Sequence, residues 1–234
     1  MKAVAALAAG LLAVACLPAS AQSLTWNLTG SAGILDAGDK LIFTKNNVTV
    51  TADAWGYTRG SSDNALEAAA LGQWNVGMGV VSGTEDPAGV DHQLDNEGPD
   101  EWVLFMFSTS VQVTGVTIDP YGVYDRDVTY WVGNVSSNLD LTGKTYADLA
   151  ALGFGSEIAS FSTASESART VSITSPGGVN AILFGAKRGE FTGDDIDRFK
   201  ITAISATPLT PVPEPACALL GSLGAFSLLF KRRR

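Results

Sequence analysis

Between residues 24 and 206, apolar and β-branched side chains recur at every second position in short runs, and glycine, asparagine, aspartate or serine separates one run from the next. A period of two belongs to a strand with one buried face; wound into a helix it would scatter the same residues around the cylinder. The pattern marks strands at 24–29, 40–44, 48–54, 102–107, 111–119, 128–133, 169–174, 179–186 and 199–206. So many short strands with turns between them imply an all-β chain, two antiparallel sheets packed face to face as a jelly-roll-like β-sandwich. "WVLFMF" is apolar on both faces and reads as a central strand. In "VQVTGVTID" the alternation changes parity near Gly115, as a β-bulge there would require if Val116 and Ile118 are to point inward with Val111 and Val113. Two stretches break the pattern. "ALEAAALGQW", residues 65–74, reads as a short helix or an alanine-rich loop, and "TYADLAALG" as a helical turn capped by Thr145 and stopped by Gly153.

Outside this body the two ends have a different grammar. Lys2 precedes an uncharged run from Ala3 to Leu17 and then Pro18, Ala19, Ser20 and Ala21, which describes a secretory signal peptide cleaved between Ala21 and Gln22 after use of the Sec export machinery. A retained anchor helix would be too short, and a lipoprotein signal through Cys16 would place Ala13 where a larger aliphatic is usual. At the other end, Pro213 and Pro215 hold the chain extended. Fifteen uncharged residues follow, Ala216 to Phe230, a helix of about 22 Å against a hydrocarbon core of about 30 Å. Lys231, Arg232, Arg233 and Arg234 would then stop translocation on the cytoplasmic side. An extended peptide ahead of a short membrane helix is accessible to a processing enzyme.

The ordered set Val212-Pro213-Glu214-Pro215, apolar helix and arginine-rich tail resembles the PEP-CTERM sorting signal of Gram-negative bacteria. That resemblance implies recognition by a membrane-embedded exosortase, export to the cell surface or extracellular matrix, and association with exopolysaccharide and biofilm. A plain tail anchor that is never processed is the alternative. The body carries a second likeness: "VGMGVVSG", "DHQLDNEGPDEWVLFMFSTSVQVTGVTI" and the closing "DDIDRFKITAIS" are similar to the ectodomain pattern of exosortase-dependent surface proteins, which implies a β-sandwich. The expected organisation is a signal peptide at 1–21, a β-sandwich ectodomain at 22–205, a proline-rich linker at 206–211 and the sorting signal with its single transmembrane helix at 212–234.

Charge narrows the function further. Five of the fifteen cations and one of the twenty-four acids lie in the end segments, so the region between keeps ten and twenty-three, a net charge of −13. Such a surface repels phosphates, and nucleic acid is excluded as a partner. Both cysteines, Cys16 and Cys217, fall in the end signals, so the exported domain would hold neither a disulfide nor a thiolate site.

Candidate chemistry is acidic. "EDPAGVDHQLDNEGPDE", residues 85–101, presents eight Asp, Glu and Asn side chains, but without the register of an EF-hand loop it reads first as an acidic, solvated loop entering a central strand. The competing reading is a calcium site using Asp95 and Asn96, or Asp194 and Asp195 beside Asp197 in "GDDIDRF". His92, the one histidine, reads as an exposed loop residue, no G-x-S-x-G elbow is present, and "VGMGV" reads as a tight turn. Trp55, Tyr57, Trp74, Tyr121, Tyr124 and Trp131 could stack on sugar rings or fill the core. The reading is a non-catalytic exported protein of the cell surface or matrix, with a carbohydrate-binding module and then a secreted polysaccharide hydrolase as alternatives.

Overall fold

A computed structural model describes residues 22–58, 64–83, 85, 92–175, 177–189 and 196–209. The expected signal peptide up to Ala21, the candidate residues Asp194 and Asp195, the expected sorting motif and Lys231 to Arg234 lie outside the described residues. Among those that are described the chain is all-β; no α-helix is present, and no helix is long and apolar enough to cross a membrane.

The organising element is β9, Asp100–Asp119, a strand of 20 residues. The two strands expected at 102–107 and 111–119 are this single strand, because Ser108, Thr109 and Ser110 continue its extended backbone. Its first half lies between β4 (Val48–Tyr57) and β13 (Val179–Ala186), with Ala52 opposite Phe105 and Leu183 opposite Leu104. Beyond β13 the sheet continues to β10 (Val128–Gly133) and β11 (Ile158–Ser160), and β4 carries β3 (Leu41–Lys45) and β5 (Leu66–Ala68). The second half of β9 pairs with β12 (Arg169–Ser172) and β14 (Arg198–Pro208). β14 in turn pairs with β1 (Leu24–Asn27), with β8 (Leu94–Asp95) and with β7 (Gly77–Val81), which leads to β6 (Ala70–Trp74) and β2 (Gly33–Ile34). Every ladder is antiparallel.

The expected bulge is present. Val113 faces Ala206 while Gly115 faces Ser205, so Thr114 is the extra residue, and Val111, Val113, Val116 and Ile118 are all fully buried. One apolar face joins the two halves: Trp26 packs edge-on to Phe107, and Phe184 to Phe199, at 5.8 and 6.3 Å. The opposite face of the first half is roofed by residues 135–154. Val135, Leu139, Leu141, Leu149 and Phe154 cover Trp55, Trp102, Leu104 and Leu183 there. In the roof, Tyr146–Asp148 forms a 3-10 turn whose Asp148 carboxylate accepts the Thr145 N–H and hydroxyl at 2.8 and 2.9 Å. It closes at Gly153, with φ +104°, where a Cβ would stand 2.2 Å from the Asn134 carbonyl oxygen.

Three sequence expectations are corrected. Residues 66–74 form strands rather than a helix or loop, because pairing with β4 and β7 buries Leu66 and Leu71 and outweighs the helix propensity of alanine. "VGMGV" enters β7 rather than making a tight turn, and Gly79 is needed because a Cβ would meet the His92 carbonyl oxygen at 2.0 Å. β14 runs to Pro208, into the span expected to be linker, and the Leu209 N–H closes on the Ser110 carbonyl at 3.2 Å.

Candidate cation site

Asp125 and Asp127 stand two apart at the entry to β10, and Asp197 stands immediately before β14, joined to Asp125 by an isolated parallel bridge. One carboxylate oxygen of each lies within 4.8 Å of the other two. Oxygens bound to one calcium ion at about 2.3–2.6 Å are at most about 5 Å apart, so this spacing suits a shared hard cation.

Asp197 is the centre of the arrangement and is fully buried. Its Oδ1 accepts the Asp127 N–H at 2.5 Å; its Oδ2 accepts the Asn96 amide at 3.0 Å and the Lys187 N–H at 3.3 Å. Burial, reinforced by the charges of Asp127 and Asp125, pushes its carboxyl up to about 8, against the N–H donors that favour the ionised form. Burial also raises Asp127, whose carboxylate accepts the Ser162 N–H, while Lys187 and Arg169 pull the other way. Three carboxylates in one place, Asp127 and Asp197 among them held above the usual range, have two chemical outlets: hold protons, or share a cation. With Oδ2 of Asp197 already taking two N–H groups, the triad would supply about half of the six to eight oxygens calcium uses.

The residues expected to bind calcium are placed otherwise. Asp95 is buried in β8; its Oδ2 lies 3.2 Å from Nε of Arg198, its Oδ1 accepts the Glu97 N–H at 2.9 Å, and burial pushes it up to about 7. Asn96 exchanges two hydrogen bonds with Asp197, its Oδ1 accepting the Asp197 N–H at 2.9 Å. The acidic, solvated loop is therefore a correction: Asp95, Asn96, Asp100 and Glu101 are at most 1% exposed. Partners from elsewhere in the chain reach several of these groups: Arg198 stands beside Asp95, Asp197 bonds Asn96, and the Tyr146 hydroxyl donates to Asp100 at 3.0 Å. Glu101 is sealed off completely; its Oε2 accepts the Asp95 N–H at 3.1 Å, and burial, then Asp95 and Glu85, push its carboxyl well up.

His92 is half-buried rather than exposed, its ring 4.6 Å from that of Trp74. Beside them Lys200 is 2% exposed, donates to the His92 carbonyl at 2.9 Å and sits 3.7 Å from the Trp74 ring; burial brings its amine down to about 7. Of the aromatics considered for sugar stacking, Trp55 and Trp131 are core residues, Tyr57 stacks on Tyr146 at 4.1 Å, and Tyr124 lies under Arg198, while Tyr121 is 69% exposed. Asp125 and Asp127 escaped the sequence reading, although D-x-D before a strand puts two carboxylates on one face.

No protein-family model, curated protein or solved structure matches the chain.

Proposed function

We propose that the chain is an exported bacterial surface or matrix protein: a non-catalytic, jelly-roll-like sandwich delivered by an N-terminal signal peptide and handed to an exosortase by a PEP-CTERM-like signal. The observation that carries this is the order at the C-terminus, Val212-Pro213-Glu214-Pro215, then fifteen uncharged residues, then Lys231 to Arg234. The domain agrees with it. β1 pairs antiparallel with the end of β14, Leu24 opposite Ala206, so the chain enters and leaves the sheet at neighbouring points. Removing residues 1–21 and 212–234 leaves every described strand in place.

In this reading the Sec machinery exports the chain, residues 216–230 hold it in the membrane as a transient helix, and exopolysaccharide surrounds the product. The cation reading passes from Asp95 and Asn96 to Asp125, Asp127 and Asp197, the carboxylates close enough to share one ion. A hydrolase is disfavoured because Glu101, a carboxyl pushed well up by burial, has no access to substrate. The test is the intact mass of the protein recovered from the surface of the native cells. A mass lacking residues 1–21 and the basic tail is expected; a product that keeps Lys231 to Arg234 refutes exosortase processing.

A further inference from the structure

The face of the sheet that the roof covers changes character along its strands. On β4 it runs Tyr57, Trp55, Asp53, Thr51, Thr49; beside it on β9 run Trp102, Leu104, Met106, Ser108. Tryptophan and leucine lie under residues 135–154, and threonine and serine begin where that roof ends. There a groove of about 600 Å³ opens over Thr51 and Met106, walled by the 134–137 turn on one side and by Lys40 on the other. Its size falls in the range of roughly 300–1,000 Å³ usual for small-molecule sites.

The lining is chemically uniform. Among the described residues no carboxylate lines it, in a chain with twenty-four acids, and the one cation there, Lys40, is matched by Asp53 at 3.1 Å. The groove is therefore close to neutral. Thr51, Thr109, Ser110 and Ser137 line it, and their hydroxyls make no hydrogen bond to the described residues, whereas Asn180 is pinned by exchanging two bonds of 2.8 Å with the Val135 backbone. Hydroxyls on this wall of strand and turn, over the half-buried Met106, offer donors and acceptors to a polyol and an apolar rest for its C–H face.

We infer that this groove binds a neutral glycan, a short run of uncharged sugar units bonded by Thr51, Thr109, Ser110 and Ser137 and seated on Met106. The inference rests on the matrix-protein reading and deepens it, placing the contact with polysaccharide on the hydroxyl floor rather than on exposed aromatic rings. The protein recovered from the cell surface is titrated calorimetrically with cellotetraose, maltotetraose and, as an acidic comparison, tetragalacturonate. Binding of at least one neutral tetrasaccharide is expected. Thr51→Val and Ser137→Ala should each weaken it about two- to tenfold, the worth of one net hydrogen bond, while Glu166→Gln, an exposed change elsewhere, leaves it unaltered. Melting curves matching the parent chain confirm that the variants are folded. Binding of neither neutral sugar, binding of tetragalacturonate alone, or neutral binding indifferent to both substitutions overturns the inference. Surface delivery of the Thr51→Val chain, read by protease accessibility on whole cells, separates the two readings: normal delivery without sugar binding removes the groove and leaves export standing.

Discussion

Asp197→Asn tests whether the carboxyl triad holds protons in the folded state. Asp197 rises from 3.8 to about 8 on folding, so between those values the folded chain keeps a proton that the unfolded chain has released. The folded state then binds more protons than the unfolded one. Stability contributed by this group is full below the unfolded value and is lost as pH climbs through 8, with a slope of up to ~1.4 kcal/mol per pH unit. Asparagine has nothing to release and removes that slope. It also has one acceptor where the carboxylate meets three N–H donors, from Asp127, Asn96 and Lys187, and a buried donor left unaccepted costs about 1–3 kcal/mol. At about 2–4 °C of Tm per kcal/mol for a domain of this size, the variant should melt roughly 2–12 °C lower near pH 5. The gap should close, or change sign, near pH 9. Asp95, raised to about 7, adds a slope of its own to both chains, so the quantity to read is the difference between their melting curves across pH. Calcium in excess should raise the parent's Tm near pH 8 more than the variant's. Parallel curves from pH 4 to 9 would show that Asp197 is not the proton holder and refute the reasoning.

Glu101→Gln replaces a sealed carboxyl, pushed upward by burial, with a neutral group of the same shape. Its Tm should match the parent near pH 4 and exceed it near pH 8; a lower Tm at pH 8 would mean that Glu101 is ionised in the fold. Arg198→Met leaves Asp95 buried without the guanidinium at 3.2 Å, a loss of about 3–5 kcal/mol by urea unfolding, greater at pH 8 than at pH 5 because protonation rescues the orphaned carboxylate.

How much of this was legible in the sequence depends on where the partners of each residue lie. β10 and β13 have the limits their patterns set, since "VTYWVG" and "VNAILFGA" carry their own β-branched and aromatic signal. The bulge at Gly115 and the turn from Thr145 to Gly153 were equally local, being matters of parity and capping. Residues 66–74 were misread because what makes them strands is a ladder with 77–81 and 55–57, which alanine and leucine do not announce. The acidic stretch failed for the same reason at longer range. Eight Asp, Glu and Asn side chains within seventeen residues look solvated until, a hundred residues later, Asp197 and Arg198 at the start of β14 meet Asn96 and Asp95. Asp125 and Asp127 had a readable spacing, yet two carboxylates become a triad only through the Asp127 N–H reaching Asp197. These encounters share one place, where β8, the start of β9, the entry to β10 and the start of β14 converge, and there burial turns ordinary surface acids into groups that resist ionising. An acid's sequence position told little about its chemistry here; its chemistry follows from which N–H groups and guanidinium the antiparallel register brings to it.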